Sequence, residues 1–408
     1  METKNNALIS AKDRIKFLDA LRGIAIFGIL CANISFFSGI FFMDPKEQYP
    51  WASFSFDLPF DFIIYTLIDG KFYSIFSLLF GIGCAIQFQN LNKLGEAFAP
   101  FYKRRMFWLL VIGFCHLAFI WVGDILTLYA LLGFVLVYFV TTTNKNLITY
   151  AIILLLLPIL NDFLINIIGW KYPNYFFKIN SYLATQFDIP IQEFGEMKMT
   201  NMNSHIKNEN WGNFFKANLS NVFIRIGFIL EEGRPFKVLG IFLLGLRAGR
   251  AILFEGLLTN TKFLKKNALL GIAIGLPICF LRSYLDFFGF EIPYSSSLKT
   301  LTYTLGTVPL ALGYAALLAL LYQKKQSLFN WFEPVGKMAL TNYLMQSILA
   351  TLFFFGIGFG YAGKFGFTIT MVIALIIYII QIMYSSLWLK RFNQGPMEWI
   401  WRKLTYNK

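Results

Sequence analysis

Apolar residues fall in ten long runs separated by short polar connections. The runs cover 20–42, 72–88, 106–122, 125–141 and 147–170, then 236–254, 267–287, 300–321, 338–359 and 368–389. Each is roughly 17–25 residues, enough to cross a bilayer core of about 30 Å as a helix. A segment in lipid must satisfy its own backbone hydrogen bonds, which leaves helices and closed barrels. These runs are continuous and lack the in–out alternation of barrel strands. The pattern predicts an all-α polytopic membrane protein, a bundle of about ten transmembrane helices in one domain over 1–408.

The longest connection, 171–235, is polar and rich in Asn around 200–213. Within it Phe215, Leu219, Val222, Phe223, Ile226 and Leu230 recur at helical spacing, which predicts an amphipathic, interfacial helix over 214–230. His205 lies in the same insertion and reads as solvated. No internal repeat of the inverted-transporter kind stands out.

Charge orients the chain. With the N-terminus in the cytosol, the inner loops hold Lys12, Arg14, Lys16, Lys93, Lys103, Arg104, Arg105, Arg247, Arg250, Lys262, Lys265 and Lys266, among others. The short outer loops hold little beyond Lys46, Lys299 and Lys364. The short loops thus follow the positive-inside rule, with both termini cytoplasmic and 171–235 outside. The net charge of +14 is largely this topology signal. Its dispersal over many loops argues against nucleic acid as a partner and leaves the bilayer as the principal one. The basic start followed by a long apolar run reads as a first span and not as a cleaved leader. All four cysteines, Cys31, Cys84, Cys115 and Cys279, fall inside spans without metal-type spacing and read as small packing residues.

Ionisable groups inside spans are costly and therefore candidates for function. Asp19 and Arg22 share a face at the start of the first span, either as an ion pair fixing helix entry or with Arg22 binding an anion. Asn33 lies farther along the same helix. His116 is the one histidine inside a span, and histidine shuttles protons near neutral pH. Asp124 follows at a Val-Gly-Asp turn. Eight residues of helix would put the two about 12 Å apart, which argues against direct contact within one helix and leaves a shared cavity. Lys71, Glu231, Glu232 and Arg234 sit at outer span ends, where lysine commonly snorkels and acids commonly pair. Arg282 and Asp286 are spaced for an ion pair. Asn342 and Gln346 face one way on the ninth span, as ligand contacts or as helix glue.

Several stretches resemble the YeiB-like family of bacterial inner-membrane proteins. They are Leu18-Asp19-Ala20-Leu21-Arg22-Gly23 with Asn33; Gly70-Lys71-Phe72-Tyr73-Ser74 through Gly83; Gly123-Asp124-Ile125-Leu126-Thr127-Leu128-Tyr129 with His116 before it; Gly336-Lys337-Met338-Ala339-Leu340-Thr341-Asn342-Tyr343 with Gln346; and Gly395-Pro396-Met397-Glu398-Trp399. The family is similar, more distantly, to transmembrane acyltransferases of the heparan-α-glucosaminide N-acetyltransferase type. Those pass an acyl group from cytosolic acyl-CoA to a sugar on the far side. The resemblance implies a bundle of about ten spans in the inner membrane, a cavity open toward both faces, and an Asp/Arg pair near the cofactor path. Related acyltransferases carry a histidine in or just after the first span, where this chain has Asn33.

The expectation is therefore acyl transfer from acyl-CoA, acetyl-CoA in the simplest case, to an envelope glycan or a small-molecule acceptor. His116 would be the base, oriented by Asp124 or Asn33. Arg22, Arg104, Arg105 and Arg250 would neutralise the phosphates of acyl-CoA. Asp19, Lys71, Glu231, Glu232, Arg234, Asn342 and Gln346 would line the path. No metal is expected, and a homo-oligomer is compatible with the chain. The alternative is a transporter or exporter of a small envelope metabolite, with the same groups lining its pathway.

Overall fold

The computed structural model describes residues 15–43, 45–48, 53–194, 197–289 and 295–406. Lys12 and Arg14 lie outside them. The helices in chain order are α1 (Lys16–Phe37), α2 (Pro45–Gln48), α3 (Phe54–Leu67), α4 (Lys71–Lys93), α5 (Phe98–Phe119), α6 (Leu126–Leu136), α7 (Asn144–Asp162), α8 (Asn174–Gln186) and α9 (Met202–Lys207). They continue as α10 (Trp211–Glu231), α11 (Arg234–Phe254), α12 (Thr261–Phe287), α13 (Ser295–Lys324), α14 (Glu333–Lys337), α15 (Ala339–Phe354), α16 (Phe367–Trp388) and α17 (Pro396–Tyr406). One antiparallel hairpin, β1 (Ile191–Phe194) with β2 (Met197–Thr200), pairs Ile191 with Thr200.

The chain is thus an all-α polytopic membrane protein. Among the described residues, six helices are long and apolar enough to cross a membrane: Lys16–Phe37, Phe54–Lys93, Asn144–Ile167, Thr261–Phe287, Ser296–Lys324 and Phe367–Trp388. Two shorter apolar helices, Leu126–Phe139 and Ala339–Phe354, match two more of the ten expected stretches. α5 and α11 match the other two; α5 carries Lys103, Arg104 and Arg105 in its first half, and α11 carries Arg247 and Arg250 near its end. Two apolar or amphipathic helices, α3 and α17, were not expected. α3 is broken from α4 only by a turn at Gly70, whose left-handed φ of 80° starts α4. A Cβ there would also press on Tyr303 and Thr307 of α13, so glycine serves both the turn and the packing.

α4 is the central pillar. It packs on α11 through small residues, since a Cβ on Gly81 would run into the Phe242 carbonyl and one on Gly245 into that of Leu78. Close backbone approach of this kind is how helices associate where lipid supplies no hydrophobic driving force. Around this pair, one apolar core joins α5, α6, α11 and α15, and another joins α1, α4, α11, α12 and α13. A third joins α1, α15 and α16. Large apolar side chains on the outward faces, such as Ile152, Ile153, Leu269 and Met383, are exposed, as a lipid-facing surface requires.

The insertion between α7 and α11 is folded. Asn180 of α8 donates to Thr200 Oγ1 at 3.1 Å and to Asn221 Oδ1 at 3.3 Å, and accepts from the Thr200 amide at 2.9 Å. The asparagine richness of this stretch thus builds a polar core. α10 covers the expected helix. Phe215 and Leu219 are exposed, while Asn218, Ser220 and Asn221 are buried. His205, expected in solvent, is 3% exposed. Its Nε2 lies 3.0 Å from Asn218 Oδ1 and its ring stacks on Phe214. Burial pushes the imidazole pKa down to about 4, against the weaker upward pull of the Asn218 hydrogen bond. The buried Asn218 supplies the partner that the sequence pattern could not show.

Candidate functional site

α5 stops at Phe119, where the Ile120 and Trp121 amides both bond to the His116 carbonyl at 2.9 Å. The chain then reverses through Val122 and Gly123. A Cβ on Gly123 would collide with the Trp121 ring, so the reversal needs that glycine. The result brings Asp124 Oδ1 to 2.9 Å from His116 Nδ1, with both side chains fully buried. Sequence spacing argued against contact because it extended the helix to Asp124; the early helix end corrects this. The second oxygen, Asp124 Oδ2, accepts the Thr127 amide at 2.7 Å, a capping bond at the start of α6. Arg225 of α10 grips the turn from behind, donating to the Asp124 carbonyl at 2.8 and 3.0 Å and to that of Gly123 at 3.4 Å.

A carboxylate at Nδ1 assigns the ring proton there and leaves a lone pair on Nε2. That atom is buried and, among the described residues, has no hydrogen-bond partner. The ring lies between Trp121 and Tyr343, at centroid distances of 6.4 and 5.3 Å. Tyr343 is fixed by its hydroxyl, which accepts from the Ile125 amide at 3.2 Å. A buried histidine held by a carboxylate, with its other nitrogen unpartnered, has the geometry a general base requires.

On the other side of Tyr343 is a cavity of about 840 Å³. Its inner end is lined by Phe76, Leu126, Tyr129 and Tyr343. Toward the face that carries the start of α1, it is lined by Lys16, Arg22, Arg105, Lys337 and Arg402. Arg22 pairs with Asp19 at 2.7 Å. Arg105 stacks 3.6 Å over the Trp401 ring, and Trp401 Nε1 donates to the Arg105 carbonyl at 2.8 Å. α17 closes this side through Glu398, which accepts from the Leu340 amide at 2.6 Å and from Thr341 Oγ1 at 2.5 Å. The cavity falls in the size range of small-molecule and cofactor sites.

At the opposite end of α4 is a second polar cluster. Arg282 of α12 bonds to Asp69 at 2.8 Å and to the Tyr65 hydroxyl, and lies 3.6 Å from Asp286. Arg234 pairs with Glu232. Lys71 and Lys237 are each 1% exposed. The Tyr303 hydroxyl donates to that of Tyr73 at 3.0 Å. The Tyr73 carbonyl in turn accepts from Tyr129, a cavity residue, at 3.0 Å.

Comparison with known proteins places the chain. Residues 248–408 match a family described as "Protein of unknown function (DUF418)". The uncharacterized protein YxaH of Bacillus subtilis is 31% identical, over 97% of this chain and 94% of its own length. The uncharacterized protein YeiB of Escherichia coli is 27% identical over 95% of each. This chain belongs to the YeiB-like, DUF418 family. No solved structure matches it.

Of the arginines expected to serve a cofactor in this YeiB-like protein, two line the cavity and two do not. Arg22 and Arg105 face it. Arg104 is exposed and points elsewhere. Arg250 holds the turn between α6 and α7, donating to the Val140 and Thr142 carbonyls at 2.6 Å each and lining a separate cleft. Asn33 is half-buried and does not join the His116–Asp124 pair. Asn342 and Gln346 knit helices. Asn342 Nδ2 bonds to Val335, Met338 and Ser385, while Gln346 Nε2 bonds to the Ile26 carbonyl and Gln381. Asp19 lines the cavity, whereas Lys71, Glu232 and Arg234 belong to the opposite cluster. Beside it, Glu231 gives its carbonyl to Asn161 at 3.0 Å. Sequence reasoning passed over Tyr129, Tyr343, Arg225 and Lys237. Lys237 carried a usable signal, a lysine at the second position of an apolar run.

Proposed function

We propose that this protein is a membrane acyltransferase of the bacterial inner membrane. It takes the acyl group of cytosolic acyl-CoA, acetyl-CoA in the simplest case, and passes it to an extracytoplasmic acceptor such as an envelope glycan. The single observation behind this reading is the shared wall. Tyr343 lines the inner end of a basic-rimmed cavity and touches the ring of His116, whose Nδ1 is held by Asp124.

In this reading Arg22, Arg105 and Arg402 receive the phosphates of acyl-CoA, and its pantetheine arm runs along the apolar lining. Rotation of Tyr343 opens His116 Nε2 to the thioester. The acceptor hydroxyl or amine attacks the acyl carbonyl carbon while Nε2 takes its proton. The carbon–sulfur bond breaks, and the imidazolium returns the proton to the leaving thiolate. Asp124 keeps the tautomer and steadies the imidazolium as it forms. The test is binding of acetyl-CoA to the purified protein by calorimetry, with transfer of labelled acetyl to an envelope-glycan extract. Saturable binding and a labelled product support the reading. Absence of acetyl-CoA affinity overturns it and leaves transport of a small anionic metabolite, which the charged cluster opposite the cavity favours.

A further inference from the structure

The cluster at the far end of α4 has more positive charge than its own carboxylates answer. Arg282 is matched by Asp69, Lys299 by Asp286 and Arg234 by Glu232. Lys71 and Lys237 are not matched. Among the described residues neither lies within ion-pair distance of a carboxylate. Lys71 Nζ donates to the Tyr65 carbonyl at 3.2 Å and also bonds to the Cys279 thiol. Lys237 Nζ donates to Thr307 Oγ1 at 2.6 Å and lies 3.3 Å over the Tyr303 ring. Two neutral partners, or one acceptor and a ring face, compensate a desolvated ammonium only in part.

Three features make this a built site. The two lysines come from different helices, α4 and α11, and both are sealed from solvent. Arg234, Arg282, Tyr73 and Tyr303 around them are each partly exposed, so the cluster is reachable from outside. Tyr73 and Tyr303 are joined through their hydroxyls at 3.0 Å, which sets both rings beside the cations. Lysine at a span end ordinarily snorkels its ammonium into water; these two are turned inward.

We infer that Lys71 and Lys237, flanked by Arg234 and Arg282, form a binding site for a phosphomonoester group presented from the face opposite the basic-rimmed cavity. Two unmatched positive charges suit a dianion better than a carboxylate or a diester. Guanidinium groups at the mouth supply the planar donors that phosphate oxygens accept. Tyrosine rings beside them offer a stacking surface for the group that carries the phosphate. The site is separate from the acyl-transfer centre and stands whether or not His116 is a base.

The test uses the full-length protein in phosphatidylcholine nanodiscs, with melting temperature as the readout. One arm adds glycerol 3-phosphate; the other replaces part of the lipid with phosphatidic acid, which carries the same monoester on a membrane anchor. A saturable rise in either arm, absent from Lys71→Met/Lys237→Met, supports the site and says whether its ligand is soluble or lipid-borne. Lys237→Met alone should melt higher than wild type without ligand, because a buried unmatched charge is gone, and respond less to phosphate. Arg234→Gln, at the partly exposed mouth, should fold and weaken binding about tenfold, or ~1.4 kcal/mol. No rise in either arm, or an equal rise in wild type and the double variant, overturns the proposal.

Discussion

The carboxylate of Asp124 stands 2.9 Å from His116 Nδ1 with one oxygen while its other oxygen holds the Thr127 amide at 2.7 Å. One side chain thereby orients the histidine and starts α6. The two tasks can be separated by substitution, because asparagine caps a helix about as well as aspartate but carries no charge. Under the acyl-transfer reading, Asp124→Asn should keep the melting temperature close to wild type and lower transfer by about 10²–10⁴-fold. Equal rates in the two proteins would confine Asp124 to a capping role.

His116→Gln retains a hydrogen-bonding group at the Asp124 oxygen without a basic nitrogen. Under the acyl-transfer reading it should bind acetyl-CoA as wild type does and fail to transfer. His116→Ala should in addition lose about 1–3 kcal/mol of stability, since it strands a buried carboxylate oxygen. Calorimetry and melting curves on the two variants, with a complementation assay for activity, separate these outcomes. Wild-type function in His116→Gln would favour transport.

Arg22→Gln and Arg105→Gln should each weaken acetyl-CoA binding about tenfold or more, the loss of one charge-assisted contact. Arg104→Gln should leave affinity unchanged, because Arg104 lies off the cavity. Arg250→Gln should lower the melting temperature without altering affinity, since its bonds go to the Val140 and Thr142 carbonyls. Titration calorimetry on the four proteins gives the ordering. Equal loss in Arg104→Gln and Arg105→Gln would reduce the effect to general electrostatics.

His205 predicts an acid-sensitive insertion. Its folded pKa of about 4 lies below the ordinary value of 6.5. Between these values the unfolded state binds the proton and the folded state does not. The stability is fully present above pH 6.5 and declines as pH falls toward 4, by ~3 kcal/mol in all. Hydrogen-exchange protection in α9 and α10, with the intrinsic pH dependence of exchange removed, should therefore fall between about pH 7 and 5. His205→Phe, which preserves the stacking on Phe214, should flatten that slope. An unchanged slope would assign the acid sensitivity to other groups.

The charge pattern predicts a topology that labelling can test. Glu209 and Lys262 are exposed. Single cysteines at these positions, with Cys115 replaced by Ser, should react with an impermeant maleimide from opposite sides of the membrane. Reaction of both from one side would remove the arrangement in which 171–235 is outside and both termini are cytosolic.

Hydrophobic run length made most of the bundle legible, because a spanning helix must be long and apolar whatever it packs against. It did not reveal α17, where Glu398, Arg402 and Lys403 break up Trp399, Ile400 and Trp401 into a short amphipathic pattern. It did not reveal α3, whose proline and two aspartates dilute a short apolar run. The polar face of α10 was legible as polar, but not as buried, because Asn218 and Asn221 pack into a polar core that only the folded insertion creates. His116 and Asp124 were both visible as candidates, but their contact depends on where α5 ends. Helix ends are set by tertiary contacts, here the Arg225 grip, which no local pattern encodes. The cavity wall at Tyr343 was hidden for a similar reason, since a tyrosine inside a span looks like any other aromatic there.

The link through Tyr73 has an electrical consequence. Its hydroxyl belongs to the charged cluster, and its carbonyl is held by Tyr129 at the inner end of the cavity. Tyr129 also meets Ser77 Oγ at 2.5 Å, one helical turn along α4. A turn of helix advances about 5.4 Å, so a hydrogen-bonded path a few residues long joins the cavity lining to the charged cluster. Charge moving along this path would cross part of the membrane potential, which is worth ~2.3 kcal/mol per elementary charge at 100 mV for a full crossing. Any step that carries charge along it should run at a rate that depends on the energised state of the cell.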